Sequence, residues 1–258
     1  SDLVVPVEVS AVDPAPGSGV VSLSASLSST GGAVSNQALA LTVLGLPQGS
    51  GAAGTPVVAT SSFTPMGGTG TAGTTLAQAF TSANRSGIGT YLLSAQATDG
   101  AGNTGFGNAI FKVKYDLNFP QTAVANGCPG GNANNPQFGP CNAMYQLKAK
   151  RSNVTSDGAF MFDTTVVLKL VRTSDNVVVA SHSCASANCN GGAIHGNVQI
   201  DETNKLYKSH FKHSDLDADP NTAGQQVPAT LNEYRLDVYF MDVDGNLMLQ
   251  GSSQPLTF

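Results

Sequence analysis

Two stretches far apart in the chain follow one pattern of apolar and polar positions. Tyr91-Leu92-Leu93-Ser94-Ala95-Gln96-Ala97-Thr98-Asp99 leads into Gly100-Ala101-Gly102-Asn103, and Tyr234-Arg235-Leu236-Asp237-Val238-Tyr239-Phe240-Met241-Asp242 leads into Val243-Asp244-Gly245-Asn246. In both, a Tyr opens a run with apolar residues at every second position (Leu93, Ala95, Ala97 and Leu236, Val238, Phe240). Alternation of period two marks a half-buried strand, and Asp-x-x-Gly-Asn supplies a tight turn before the next one. A following strand is predicted after each copy, at 106–114 and 247–258.

The rest of the chain alternates in the same way. In the first half, strands are predicted near 3–12, 20–28, 38–46, 56–63, 74–82, 90–98 and 106–114, joined by Gly-, Ser-, Pro- and Asn-rich turns. In the second half they fall near 143–151, 164–173, 176–183, 196–200, 206–213, 233–241 and 247–258. Thr173-Ser174-Asp175-Asn176 reads as a hairpin turn. No segment predicts a helix of convincing length; 75–83 leaves one open, against which its Thr- and Ser-richness argues. A Tyr at the start of a late strand matches the tyrosine corner of Greek-key sandwiches. The expected fold is therefore all-β: two immunoglobulin-like (Greek-key) β-sandwich domains in tandem, residues 1–115 and 116–258.

Composition fits this picture. Charged residues make up 11% of the chain, against about 25% in ordinary soluble proteins, and the net charge is -5. The first 115 residues carry only Arg85, Lys112, Lys114, Asp2, Glu8, Asp13 and Asp99. That leaves no basic patch to serve nucleic acid or an anionic membrane. No apolar run approaches the roughly 20 residues that span a bilayer as a helix. The chain opens on Ser1, as a secreted protein does once its signal peptide is removed. An extracellular or cell-surface location is expected.

The cysteines lie in the second half: Cys128, Cys141, Cys184 and Cys189. An even number in Gly- and Asn-rich loops is what an oxidising compartment produces. Four cysteines allow three pairings. The local one, Cys128 with Cys141 and Cys184 with Cys189, is favoured because each pair brackets a loop poor in packing residues. A competing reading gathers Cys184, Cys189, His182 and His195 around zinc, although the four-residue spacer between the cysteines is wide for such a site.

Residues 89–104, from Gly89-Thr90-Tyr91 through Asp99-Gly100-Ala101-Gly102-Asn103-Thr104, resemble the last strands of bacterial immunoglobulin-like repeats of surface and secreted proteins. The second half is similar in outline to a bacterial extracellular module named for a Pro-x-Lys-Phe signature. The parts that carry this likeness are Tyr115-Asp116-Leu117-Asn118-Phe119, Leu206-Tyr207-Lys208-Ser209-His210-Phe211, and the closing Tyr234 strand with Phe258. The position of the signature reads Met144-Tyr145-Gln146-Leu147-Lys148 instead. Both resemblances imply accessory, adhesive or structural modules without catalytic residues.

Reactive constellations are sparse. There is no Gly-x-Ser-x-Gly elbow, phosphate loop, dinucleotide fingerprint or haem motif. His210 and His213 are three apart on a predicted strand, which aims them at opposite faces. The chain is thus expected not to be an enzyme. Ser214-Asp215-Leu216-Asp217-Ala218-Asp219-Pro220-Asn221 offers more, with Asp215, Asp217, Asp219 and Asn221 as candidate calcium ligands, because calcium takes six to eight oxygens. The plainer reading is a solvated acidic loop. Asp242, Asp244 and Asn246 form a weaker set that turn formation explains.

The segment containing Leu3, Val5, Val7 and Val9 is apolar and β-prone, and it suits either of two roles. It can be donated to the open sheet edge of a neighbouring subunit, or it can be the first strand of its own sandwich with Pro6 marking an edge. The expected function is an extracellular structural or adhesive surface protein, a filament or surface-layer subunit assembling by β-strand contacts with copies of itself or other surface components. The alternative is a non-catalytic accessory module, binding glycan or another partner, within a larger secreted hydrolase.

If Asp215, Asp217 and Asp219 hold calcium, chelator added to calcium-loaded protein lowers its melting temperature, since a ligand bound only to the native state stabilises it. An unchanged melting temperature by differential scanning fluorimetry rejects that site.

Overall fold

Among the described residues, alternation of period two is realised as strands. The computed structural model describes residues 5–44, 52–64, 74–75, 87–115, 117–119, 124–126, 144–151, 163–186, 189, 196–201, 206–212 and 233–257. Among these there is no helix, and the fold is all-β and sandwich-like. Two units are distinguished: Ser1–Lys114 with Asp242–Asn246, and Tyr115–Met241 with Leu247–Phe258.

Unit 1 contains β1 (Val5–Ala11), β2 (Val20–Ser29), β3 (Gln37–Ala38), β4 (Thr42–Leu44), β5 (Val57–Thr64), β6 (Thr74–Thr75), β7 (Gly89–Asp99) and β8 (Thr104–Val113). One sheet runs β1-β5-β4, with β6 parallel to β5, and the other runs β3-β2-β7-β8. The predicted third strand is therefore divided: β3 pairs with β2 and β4 with β5. Buried Leu39 lies between the two pieces, its N–H donating to the Ala25 carbonyl (2.9 Å) as the chain passes from one sheet to the other.

The core of unit 1 forms where the inward residues of the two sheets meet. Val7 and Val9 from β1, with Ala59 and Phe63 from β5, face Leu23, Ala25 and Leu27 from β2 and Tyr91 from β7. Phe63, Tyr91 and Phe111 stand with ring centroids 5.6 to 6.0 Å apart. Such aromatic pairs add about 0.5–1.5 kcal/mol each beyond the area they bury. The buried Tyr91 hydroxyl donates to the Gly87 carbonyl at 2.6 Å, four residues upstream. Burial, with Asp244 and then Asp242 nearby, holds that hydroxyl well above the usual phenol range.

The repeated Asp-x-x-Gly-Asn segments fold alike. The Asp99 carboxylate accepts N–H groups from Ala101 (2.9 Å) and Asn103 (2.8 Å), and Asp242 accepts those of Asp244 (3.0 Å) and Asn246 (2.8 Å). Gly102 and Gly245 sit at φ +87° and +84°, a backbone region that side chains with a Cβ rarely adopt. The Asn103 side-chain amide, with the backbone N–H groups, holds the Asp99 carboxyl below the usual carboxylate range.

The second of these turns belongs to unit 1. Val243 is buried there, its N–H donating to the Ile88 carbonyl at 2.9 Å. Gly89 makes room for it, since a Cβ on Gly89 would lie 2.7 Å from Val243 Cγ1. Asp244 accepts hydrogen bonds from the Ser29 hydroxyl and from the N–H groups of Gly31 (2.7 Å) and Ala33 (3.1 Å).

Unit 2 contains β9 (Leu117–Asn118), β10 (Val124–Asn126), β11 (Met144–Arg151), β12 (Val167–Arg172), β13 (Val178–Cys184), β14 (Asn197–Asp201), β15 (Leu206–Lys212), β16 (Glu233–Met241), β17 (Leu247–Ser252) and β18 (Leu256–Thr257). They pair in the order β10-β11-β15-β14-β13-β12-β16-β17, with β9 also on β11 and β18 on β16. The β13–β14 joint is parallel and two residue pairs long. The path folds over there, because Tyr207 of β15 packs edge-on against Phe240 of β16 at 5.3 Å. The segment after residue 116, where the sequence predicts no strand before 143, thus holds two short strands.

One buried carboxylate organises this interior. Asp163 accepts from the Tyr115 hydroxyl (2.9 Å), the Thr165 N–H (2.9 Å) and the Thr165 hydroxyl (2.6 Å), while its own N–H donates to the Tyr207 hydroxyl (2.8 Å). Removing water from a charge costs far more than removing it from an apolar group, and these donors offset that cost.

Asp244→Ala removes three hydrogen bonds to a carboxylate and is expected to lower stability by about 1–3 kcal/mol. Denaturant unfolding of the full chain measures it; a midpoint within error of the parent would mean that solvent replaces the carboxylate at no cost.

Candidate functional site

Among the described residues, His182 and Ser209 form the closest approach to a reactive pair. His182 and Ser209 are both buried, with His182 Nδ1 2.7 Å from the Ser209 hydroxyl and its ring stacked on Phe211 at 4.1 Å. Proton accounting decides what this pair can do. A serine hydroxyl has one proton, and that of Ser209 is donated to the Asn197 carbonyl at 2.7 Å. Nδ1 must then be the donor to Ser209, so the imidazole takes no proton from this hydroxyl. Nucleophilic activation requires the reverse arrangement.

Cys184 and Cys189 are joined as a disulfide, in agreement with the local pairing expected from the sequence. Sulfurs bonded to each other are not thiolate ligands, which removes the zinc reading of this pair. Cys128, Cys141, His195 and His213 lie outside the described residues, as do Asp215, Asp217, Asp219 and Asn221. His210 falls in β15. Among the described residues no three His, Cys, Asp or Glu side chains gather as a metal site. Asp242 and Asp244 spend their oxygens on the turn and on the Ser29–Ala33 segment.

Leu3 lies outside the described residues. Val5, Val7 and Val9 lie in β1, opposite Phe63, Ser61 and Ala59 of β5, and Val7 and Val9 are buried in the core of unit 1.

A surface with binding character lies on the outer face of β2, β7 and β8. The run Ser22-Leu23-Ser24-Ala25-Ser26-Leu27-Ser28 places apolar residues inward and a column of hydroxyls outward. Thr90, Leu92, Ser94, Gln96 and Thr98 occupy the corresponding outward positions of β7. The register forms three rows across the strands: Ser24, Gln96 and Phe106; Ser26, Ser94 and Asn108; Ser28, Leu92 and Ile110. Lys112 is the one charged residue among these outward positions.

From Gly105 to Ile110 the usual arrangement of β8 is inverted, before Phe111 and Val113 return to the core. Phe106 and Ile110 are 74% and 71% exposed, while the alternate positions directed at the sandwich interior hold Gly105, Gly107 and Ala109. Four residues of extended chain separate the two large side chains, about 14 Å. Two apolar platforms set among hydroxyl and amide groups suit a partner with little charge, bound by apolar contact and neutral hydrogen bonds. The sequence predicts a strand at 106–114 but not this outward pair, because alternation alone does not say which face meets the core. The signal was present in Gly105-Phe106-Gly107-Asn108-Ala109-Ile110, where large and glycine or small residues alternate.

No protein-family model matches the chain, and no curated protein matches it.

Ser209 is expected to remain unlabelled by a fluorophosphonate probe, read by mass spectrometry of the digest. Ser209→Ala should lower stability by about 1–3 kcal/mol through loss of two buried hydrogen bonds. Labelling of Ser209 would overturn the proton assignment.

Proposed function

We propose that this chain is a non-catalytic extracellular protein of structural or adhesive type, a filament or surface-layer subunit that assembles through β-strand contacts. The observation that carries this reading is β8, a ten-residue strand that lacks a charged side chain from Thr104 to Phe111 and presents Phe106 and Ile110 to solvent. Edges and faces that are not meant to associate are blunted by charge, proline or short length, and most of β8 has none of these. The disulfide fits an oxidising location.

Both units are immunoglobulin-like in this proposal. The order β1-β5-β4 beside β3-β2-β7-β8 corresponds to strands B-E-D and C′-C-F-G of that architecture, and Tyr91 with its bond to Gly87 occupies the tyrosine corner. In unit 2, β11-β15-β14 and β13-β12-β16-β17 correspond to the same strands. Calcium at Asp215, Asp217, Asp219 and Asn221 remains part of the proposal. The second reading, a glycan-binding accessory module, is favoured by the ring of Phe106 standing beside Gln96 and Asn108, an aromatic platform edged by amides.

Electron microscopy of the native protein tests the first reading, with regular assemblies expected. Phe106→Ser combined with Ile110→Ser should abolish assembly and shift stability by no more than about 0.5 kcal/mol, as exposed substitutions do. Parent protein that stays monomeric and binds glycan in a Phe106-dependent way would favour the accessory module instead.

A further inference from the structure

The outward face of β2, β7 and β8 extends by a fourth row, Ser22, Thr98 and Thr104, next to that of Ser24, Gln96 and Phe106. No charged residue stands in any of the four rows. Ser22, Ser24, Gln96, Phe106, Asn108 and Ile110 are exposed. The polar groups here are largely uncommitted. Ser28 accepts the Asn36 N–H at 2.9 Å, but the side chains of Ser22, Ser24, Ser26, Ser94, Gln96 and Asn108 make no hydrogen bond among the described residues. Interior polar groups such as Asp163 and Ser209 are held on every side, so the contrast is sharp.

What such a face takes follows from its chemistry. A hydroxyl both donates and accepts, and so does a primary amide, so these groups match a ligand that is itself rich in hydroxyls. The lack of charge sets aside polyanions, nucleic acid included, whose binding runs on Lys and Arg. Size and composition set aside a folded protein. Three strands about 4.8 Å apart and four rows about 6.8 Å apart cover roughly 400 Å², against about 800 Å² that each partner buries in a standard protein interface. Serine, which fills every β2 position of the face, is a residue that protein interfaces are depleted in. One hydroxyl repeated at one spacing along a strand suits a polymer that has a repeat of its own.

We infer that this face of unit 1 binds a neutral, linear polysaccharide, laid along β7 between the serines of β2 and the Phe106–Ile110 pair of β8. Sugar hydroxyls exchange hydrogen bonds with Ser24, Ser26, Ser94, Gln96 and Asn108, and the apolar C–H face of one sugar ring lies on Phe106. Ile110, about 14 Å further along the same strand, contacts a later unit of the polymer. The inference rests on the accessory-module reading and narrows it in two ways. The ligand is an uncharged polymer rather than a glycan of any kind, and the site is three strands wide rather than Phe106 with its two amide neighbours.

Affinity gel electrophoresis of the full chain tests this, with hydroxyethyl cellulose, xyloglucan and galactomannan as neutral polymers and alginate as an acidic one, beside pull-down on insoluble cellulose and chitin. The parent is expected to bind a neutral polymer and not alginate, with an affinity that added salt leaves unchanged. Ser24→Glu with Ser26→Glu, placed two strands from Phe106, should weaken binding at least tenfold at an unchanged melting temperature. Ser24→Ala with Ser26→Ala, which adds no charge to the sheet, should weaken it at least threefold. Loss of binding in Phe106→Ser while both serine variants keep the parent's affinity overturns the three-strand site and leaves the accessory module standing. Binding of alginate alone overturns the neutral ligand. Binding of no polysaccharide overturns the accessory module and this site together. Self-association of the parent that is lost in Ser24→Glu with Ser26→Glu would place a second copy on the face and overturn the polysaccharide.

Discussion

Every strand in this protein needs a lateral partner, and that requirement is unusually severe here. Among the described residues there is no helix to satisfy backbone groups within a single segment. A buried N–H or C=O without a partner costs as much as a lost hydrogen bond. The architecture therefore answers one question repeatedly, namely which strand lies beside which. Short pieces such as β3, β9 and β18, two residues each, are explained on these terms. Each extends the pairing of a longer neighbour by a few groups and ends where its chain turns away. Among the described residues, the outward Phe106 and Ile110 of β8, at the end of its sheet, are the informative place.

With charge so scarce, polar groups in the interior are satisfied by neutral donors. Asp163 is held by a tyrosine and a threonine, and Ser209 links His182 to a backbone carbonyl. Asp237 is an exception, almost fully buried with Arg235 at 2.9 Å. An exposed ion pair is worth roughly 0–1 kcal/mol, so the partial exposure of Arg235 keeps that contribution modest. Burial of apolar residues dominates by comparison: a fully buried side chain of Val, Leu or Phe size contributes about 1.5–3 kcal/mol. Tyr91, Phe63, Leu168, Leu170, Phe211 and Phe240 are all of that kind.

What could be read from the sequence was local. Alternation placed most of the strands, and the two Asp-x-x-Gly-Asn segments announced turns that the structure draws almost identically, down to the positive φ of Gly102 and Gly245. Partners distant in sequence were not legible. Nothing near Asp244 marks Ser29, Gly31 and Ala33, more than two hundred residues earlier, as its donors. The division of one predicted strand into β3 and β4 depends on Leu39 finding an interior that two different sheets create. β9 and β10 lie in a segment rich in Gly, Asn and Pro, where propensity argues for a loop and pairing with β11 prevails. Of the candidate site, the disulfide was legible from spacing. The outward Phe106 and Ile110 were missed because alternation alone does not say which of its two faces meets the core.

The turn at Asp242–Asn246 also sets the order in which the protein can mature. A chain leaves the ribosome from its first residue, and compact domains ordinarily close as soon as their own residues are available. Unit 1 cannot do so. Val243, which fills its core, and Asp244, which ties its Ser29–Ala33 segment, are synthesised more than a hundred residues after Lys114. Unit 1 thus waits, incomplete, through more than a hundred intervening residues, and its closure reports that the segment carrying Asp242–Asn246 has been made.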